Sequence, residues 1–488
     1  MPIVVGITVA LGLGLWYSRS ALVPAALPSG PNVLLIVLDT TRADYLSCYG
    51  YKERTTPRID RLASEGTRYT RAYSTDFWTL PSHATILTGL YPTEAGATSE
   101  TNHLPTSLVT LAERFQTAGY STGAVVCNTW VSGERGFAQG FTDYEEMWRA
   151  ANRPGPLAPP EAHDHPAADR AVAWIDRHAA EPAPFFLFVN FNVAHLPYRP
   201  SPPLRRRFLT RDWPAARLEK VMGIMEELPY FAGALKLDGA DFKIMRELYA
   251  AGIAESDEWV GLLVDALAAN GVLDNTLVVI TADHGENLGD HSMIGHLLSM
   301  HDTTLHVPLI LRYPGRFDGG AVKEELVSLI DLFPTILDVC SLLDGTDSAS
   351  GQRSLCHPHR EPTVVVFAEN DRPVNGIRVM KQRFPAFDTS TIEHSLRAVR
   401  TERYKLIWRV GDGTELFDVS SDPGELYDIA QARTDVRDEL LARLQTWNDN
   451  LEQMTDLRPF ESRDVETLEQ LRALGYVGGG EDQSSDDE

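Results

Sequence analysis

Four nearly unbroken apolar runs mark the first part of the chain, at residues 33–38, 122–127, 185–191 and 276–282. None alternates apolar with polar positions, so each predicts a strand buried on both faces, as in a parallel sheet. Polar residues arrive where the runs stop: Asp39, Asn128, a loop carrying His195, and Asp283 with His284. Helical spacing fills the intervals, over 57–65, 107–118, 167–179 and 241–270, and Gly66, Gly119 and Gly271 follow three of these as stop signals. A strand over 307–313 and a helix over 331–339 come next. Strands alternating with helices predict a doubly wound, mostly parallel α/β sheet over residues 31–345. From residue 362 the pattern shortens to β runs at 363–367, 396–400, 404–410 and 415–418, then a turn at Asp422-Pro423-Gly424 and a helix over 436–453. This predicts a small antiparallel sheet plus helix within a subdomain at 346–477. An acidic Gly/Ser tail at 478–488 is expected to be disordered. Residues 151–166, rich in Pro and Ala, predict a surface excursion. Residues 200–239, with Arg205, Arg206 and Arg207, predict an irregular segment, either a lid or a solvated insertion.

The 488 residues carry a net charge of −24. That balance argues against nucleic acid or an anionic membrane surface as a broad partner. An anionic substrate would instead need a local positive site. Cys48, Cys127, Cys340 and Cys356 show no metal spacing, although Cys340 and Cys356 could pair across a loop. Residues 2–16 are apolar and uncharged. They are short for a membrane span, which takes roughly 20 residues, and no Lys or Arg precedes them. Signal peptide, short anchor and clipped span all fit. Residues 1–30 are therefore expected to be a leader or tether with a linker, on a protein that is exported (periplasmic or secreted) or membrane-anchored.

The stretch 79–89, Thr-Leu-Pro-Ser-His-Ala-Thr-Ile-Leu-Thr-Gly, predicts a short helix with Pro81 in its first turn and Gly89 at its exit. Thr79 and Ser82 then lie among unpaired N–H groups at the positive end of the helix dipole, a setting that favours a tetrahedral oxyanion. A capped surface helix is the plain alternative. The carboxyl ends of parallel strands share one edge, where ligands bind in open α/β sheets. Asp39, Asn128, His195, Asp283 and His284 can therefore converge there. Asp39, Asp283 and His284, with the Thr79 hydroxyl as fourth ligand, form a set for one divalent ion. Oxygen ligands suit Ca, Mg or Mn, and the imidazole tilts the choice toward Mn or Zn.

Residues 79–89 resemble the signature of the sulfatases, a branch of the alkaline phosphatase superfamily, whose pattern is Cys-x-Pro-Ser-Arg, a short helix and Thr-Gly. Pro81, Ser82, Thr88 and Gly89 match; Thr79 replaces the cysteine that becomes formylglycine, and His83 replaces the arginine. Residues 31–50 resemble the opening metal strand, with Asp39 kept and Thr40 in place of a second aspartate. Residues 276–291 resemble the second metal motif, with Asp283 kept and His284 at a position that holds Asn or His in the family. Asn128 and Trp130 stand where a substrate lysine and a histidine are expected, His195 matches a sulfate-binding histidine, and His296 falls near a further substrate lysine. Residues 397–406 and 415–426 resemble the carboxy-terminal sheet, and 471–476 the ending of bacterial members.

The resemblance implies a metal-dependent hydrolase of small anionic esters, with sulfate esters as the family expectation. It places Thr79, His83, His195 and His296 in the chemistry and Asn128, His195 and His296 on the substrate. The departures point to a phosphodiester or phosphonate monoester hydrolase, or a phosphoryl transferase, because threonine is the nucleophile in relatives that act on phosphorus. A binding protein with a decayed site and a membrane transferase complete the alternatives. The natural substrate and the oligomeric state stay open.

Overall fold

A computed structural model describes residues 30–151, 165–344, 353–357, 359–452 and 454. The apolar segment at 2–16, most of the Pro/Ala stretch at 151–166, the motif at 471–476 and the tail at 478–488 lie outside the described residues.

The apolar runs become the centre of an eight-stranded sheet. Its strands are β1 (Asn32–Leu38), β2 (Thr67–Tyr73), β3 (Ser121–Val126), β4 (Asp143–Glu146), β5 (Phe185–Phe191), β6 (Thr276–Thr281), β9 (His306–Arg312) and β10 (Ala321–Ser328). Two short strands, β7 (Asn287–Leu288) and β8 (Ile294–Gly295), pair as a hairpin after β6. The order is β10-β2-β9-β6-β1-β5-β3-β4. β6, β1, β5, β3 and β4 run parallel, in registers such as Val37 beside Thr281, Leu38 beside Phe191 and Val126 beside Asn190. β9 runs antiparallel to both β6 and β2. Helices cover both faces of the sheet; the longest, Gly239–Ala269, starts at an Asp238 cap that accepts from Ala240 and Asp241.

A four-stranded antiparallel sheet follows, in the order β11 (Val365–Asn370), β12 (Leu396–Thr401), β13 (Tyr404–Arg409) and β14 (Gly413–Asp418), covered by the helix Thr434–Asp449. Glu369 and Lys405 are among the residues that fasten it to the large sheet. Glu369 N–H donates to Thr75 O at 2.8 Å, and the Glu369 carboxylate accepts from Thr93 N and Oγ1 at 2.8 and 2.7 Å. Lys405, 1% exposed, reaches Asp302 at 2.6 Å and Glu425 at 2.7 Å.

Several local expectations shift. The helix expected over 107–118 begins at Leu111, because Thr110 and Glu113 form a capping box. The segment 200–239 contains three short helices, Pro202–Phe208, Ala215–Met222 and Leu228–Phe231. β2, β4, β10 and the helix Val374–Arg383 have no counterpart in the sequence reading. β2 is Thr-Arg-Tyr-Thr-Arg-Ala-Tyr, a polar alternation whose partners lie at 306–312 and 321–328, far along the chain. Cys340 and Cys356 are separate thiols.

Candidate active site

Four adjacent parallel strands deliver the site. β1 ends one residue before Asp39, β6 two before Asp283, and β3 two before Asn128. Across this edge lies the helix Thr79–Thr88, buried along its whole length. It leaves through Gly89 at φ 71°, where a Cβ would stand 2.9 Å from Phe333 Cβ; left-handed backbone and crowding both require glycine.

Asp39, Asp283 and His284 are fully buried, and one ligand atom from each lies within 4.8 Å of the others. Asp283 Oδ1 accepts from Thr40 N and His284 N at 3.1 and 2.9 Å. Asp39 Oδ2 accepts from Asn128 Nδ2 at 2.7 Å and Asn190 Nδ2 at 3.3 Å. The remaining oxygens, Asp39 Oδ1 and Asp283 Oδ2, have no hydrogen-bond partner. Burial, reinforced by the charge of Asp39, pushes the Asp283 carboxyl well above the usual carboxylate range. Two orphaned carboxylate oxygens in a dry site fit a divalent cation. The imidazole completes the fit. His284 Nδ1 faces Gly285 O at 2.9 Å, so it carries the proton and leaves Nε2 as a lone pair toward Thr79 Oγ1 at 3.3 Å. Burial, then neighbouring His296, keeps this ring neutral by driving its pKa well down. Thr40, where a second aspartate was expected, turns its hydroxyl back to Asp39 O and offers only its backbone N–H.

Thr79 opens the helix, fully buried, with Oγ1 between His284 Nε2 and Asn128 Nδ2, each at 3.3 Å. The Asn128 amide is divided among Asp39, Thr79 and, through Oδ1, Trp130 N at 2.9 Å. His83 Nδ1 donates to Thr79 O at 2.8 Å and lies 3.4 Å from Asp283 Oδ2. It braces the backbone of the helix start rather than the hydroxyl. Burial lowers its pKa and keeps it neutral.

His195 and His296 stand beside this cluster, with ring centroids 5.1 Å apart, and His296 is 4.5 Å from His284. Each turns one nitrogen to a partner, Leu196 O for His195 and Glu286 Oε1 (3.1 Å) for His296. The Nε2 atom of each is unpartnered. Glu286 and Glu227 back them; burial lifts their carboxyls to about 8 and about 7. The structure thus brings together Asp39, Thr79, His83, Asn128, His195, Asp283, His284 and His296, while the Ser82 hydroxyl donates to Asp76 O at 3.0 Å outside the cluster.

Three supporting residues escaped the sequence reading. Tyr249, on the long helix, donates to Thr40 O at 2.6 Å and accepts from Arg42 N at 2.9 Å, holding the turn after Asp39. Glu286 had only its nearness to His284 to mark it. Asn190 had a signal: it is a lone amide in the otherwise apolar β5. Its Nδ2 donates to Asp39 Oδ2 and His83 Nε2, both at 3.3 Å, and its Oδ1 accepts from Asn128 N at 3.1 Å. Asn190→Leu is expected to destabilise the fold by about 1–3 kcal/mol, the cost of stranding buried polar groups. Urea unfolding checks it; an unchanged midpoint would show that these contacts contribute nothing.

Comparison with known proteins adds the family. A family model described as Sulfatase matches residues 31–342, and one described as N-sulphoglucosamine sulphohydrolase, C-terminal, matches 289–450. Arylsulfatase K of Bos taurus is 27% identical over 459 residues, covering 86% of this chain and 82% of that protein. N-acetylglucosamine-6-O-sulfatase of Bacteroides thetaiotaomicron is 23% identical, covering 82% of each. The crystal structure of phosphonate monoester hydrolase of Agrobacterium radiobacter superposes with a TM-score of 0.67 at 25% identity, over 89% of this chain and 100% of that one. With buried acid–imidazole chemistry at the strand ends and a family match over most of its length, the chain belongs to the sulfatase family of hydrolases.

Proposed function

We propose that this protein hydrolyses a singly charged ester by attack of Thr79, with a phosphodiester or phosphonate monoester as substrate. The observation that carries this reading is the Thr79 hydroxyl set 3.3 Å from His284 Nε2 at the Asp39–Asp283–His284 cluster. A divalent ion held by Asp39, Asp283, His284 and Thr79 would supply Lewis-acid charge that lowers the pKa of the hydroxyl and neutralises the ester oxygens. Asn128 Nδ2 donates to Thr79 Oγ1 and holds the oxygen in place. His195 and His296 present their unpartnered Nε2 atoms to the ester. Once protonated, they donate to its oxygens or to the departing alcohol. Asn128, where the family resemblance expects a lysine, adds no charge, which suits one negative charge rather than two.

Thr79 favours phosphorus over sulfur. A Thr79 ester must be opened by water at the central atom, since its side chain lacks the second hydroxyl through which a formylglycine hydrate expels sulfate. The sulfatase relatives support the second reading, sulfate ester hydrolysis, through the same residues.

Matched nitrophenyl sulfate, phosphate diester and phosphonate monoester, assayed with Mn, Zn, Ca or Mg, distinguish the two. The expected result is turnover of the phosphorus esters, about one metal ion per chain, and loss of activity with a chelator. Asp283→Asn is expected to weaken metal binding by more than the roughly 10–100-fold that a supporting partner costs. Full activity in metal-free protein would overturn the reading. Turnover only when an acceptor alcohol is supplied would make the protein a transferase.

A further inference from the structure

Beside the site lies a cleft whose walls include Phe77, Trp78, Trp130, Phe231, Leu297 and Met380. Its lining adjoins the site residues along the chain. Trp78 immediately precedes Thr79, Leu297 immediately follows His296, and the Trp130 N–H holds the Asn128 amide. Its walls come from separate parts of the chain, including the segment before the nucleophile, the 226–231 turn, the loop after β8, and the helix Val374–Arg383. Trp78 and Trp130 pack edge to face at 4.8 Å.

Most polar groups of the cleft are already engaged. Asn370 Nδ2 donates to both oxygens of Asp76 at 3.0 Å, Asn375 Nδ2 to Ser99 O at 2.8 Å, and Ser99 Oγ to Arg372 O at 2.7 Å. Glu226 is bound to Arg383. Unpartnered acceptors are Asn102 Oδ1 and Glu227 Oε1. No Lys, Arg or His is among the described residues that line it. A sugar would find few free donors here, and a second sulfate or phosphate would find no cation.

We infer that this cleft binds the leaving group of the substrate, and that this group is an uncharged aryl or alkyl-aryl alcohol rather than a sulfated or phosphorylated sugar. The inference rests on the hydrolase reading above for calling the occupant a leaving group. Apolar walls beside a buried anion site divide the substrate into a charged head, held at the strand ends, and an apolar body in the cleft.

The test uses 4-alkylphenyl esters from methyl to hexyl, whose leaving-group acidity is nearly constant, alongside the 6-O-ester of N-acetylglucosamine. The expected result is a rise in kcat/KM of up to about fourfold per methylene, with the sugar ester the poorest substrate. Gly376→Phe fills the cleft: a Cβ there meets only Pro373 Cβ at 3.8 Å. It is expected to abolish the rise. Ile392→Lys, at a half-buried lining position, is expected to do the same by adding a cation. A flat series in the wild type, or preference for the sugar ester, would overturn the inference. Calorimetry with 4-hexylphenol separates the two readings. If no ester turns over but the phenol binds, and binds at least tenfold more weakly in Gly376→Phe, the hydrolase reading falls and the apolar site stands. No phenol binding overturns the site itself.

Discussion

Thr79→Ala is expected to lower kcat by about 10³-fold or more, the scale on which loss of a nucleophile acts. On the proposed reading Asp39, Asp283 and His284 would still hold metal in this variant, so metal content and melting temperature should stay close to wild type. Thr79→Ser, which keeps the hydroxyl, should retain turnover. The chemistry explains the contrast. In the first half-reaction an Oγ1–P bond forms, the ester P–O bond breaks, and the alcohol leaves with a proton. In the second, water attacks phosphorus, the Oγ1–P bond breaks, and Thr79 recovers its proton. Acid-quenched wild type should therefore carry on Thr79 the phosphorus group that the substrate keeps after losing one alcohol, a phosphate ester from a diester or a phosphonyl group from a phosphonate, detectable by mass spectrometry as that added mass. If Thr79→Ala kept a tenth or more of the activity, water would be the attacking group and Thr79 only a ligand. Sulfate turnover that survives in Thr79→Ser would show that a plain hydroxyl can serve sulfuryl transfer.

Lys405→Met is expected to destabilise the protein by about 3–5 kcal/mol, because it strands two buried carboxyls. Lys405 lies between Asp302, which precedes β9, and Glu425, beyond β14. The two acids respond in opposite directions. Burial alone would raise Asp302, but Lys405 and Arg400 outweigh it and hold its carboxyl far below the usual range. A depressed acid stabilises above its unfolded pKa, about 3.9, and loses that contribution as pH falls through its folded value. Burial lifts Glu425 to about 7 despite Lys405. A raised acid stabilises below its unfolded pKa and loses that contribution as pH rises through its folded value. The cluster should therefore favour the fold most near pH 4 and lose the Glu425 share as pH rises through about 7. Denaturant midpoints across pH check the lysine's part: because Lys405 favours the ionised form of both acids, the difference between wild type and Lys405→Met should widen as pH rises from acid through about 7. A difference that does not vary with pH would show that the lysine acts through packing alone.

The fold was legible where strands were buried on both faces. β1, β3, β5 and β6 announced themselves as apolar runs, and their polar ends named the residues that meet at the site. β2 and β10 were not legible, because each is mixed in character and is stabilised by a partner far along the chain. The direction of β9 escaped for the same reason, since a run of Val, Leu and Ile carries no mark of its partner's orientation. Within the site, Asp39, Asp283 and His284 could be read from position. What Asn128 does could not: its amide is divided among neighbours brought together only by the fold. Tyr249 was beyond reach, as one aromatic among many on a long buried helix.

The fastening of β11 to the loop before Thr79 has a consequence for biosynthesis. Asn370 grips Asp76 from 294 residues further along the chain, and Glu369 ties down Thr75 and Thr93. A ribosome adding about 5–20 residues per second takes about 15–60 seconds to cover that interval. During that time β1 already exists and β6 follows about two thirds of the way through, yet the segment before Thr79 lacks its clamp. On the proposed reading the Thr79 hydroxyl gains this support only when the small sheet docks, so catalytic competence would arrive as a late event of folding.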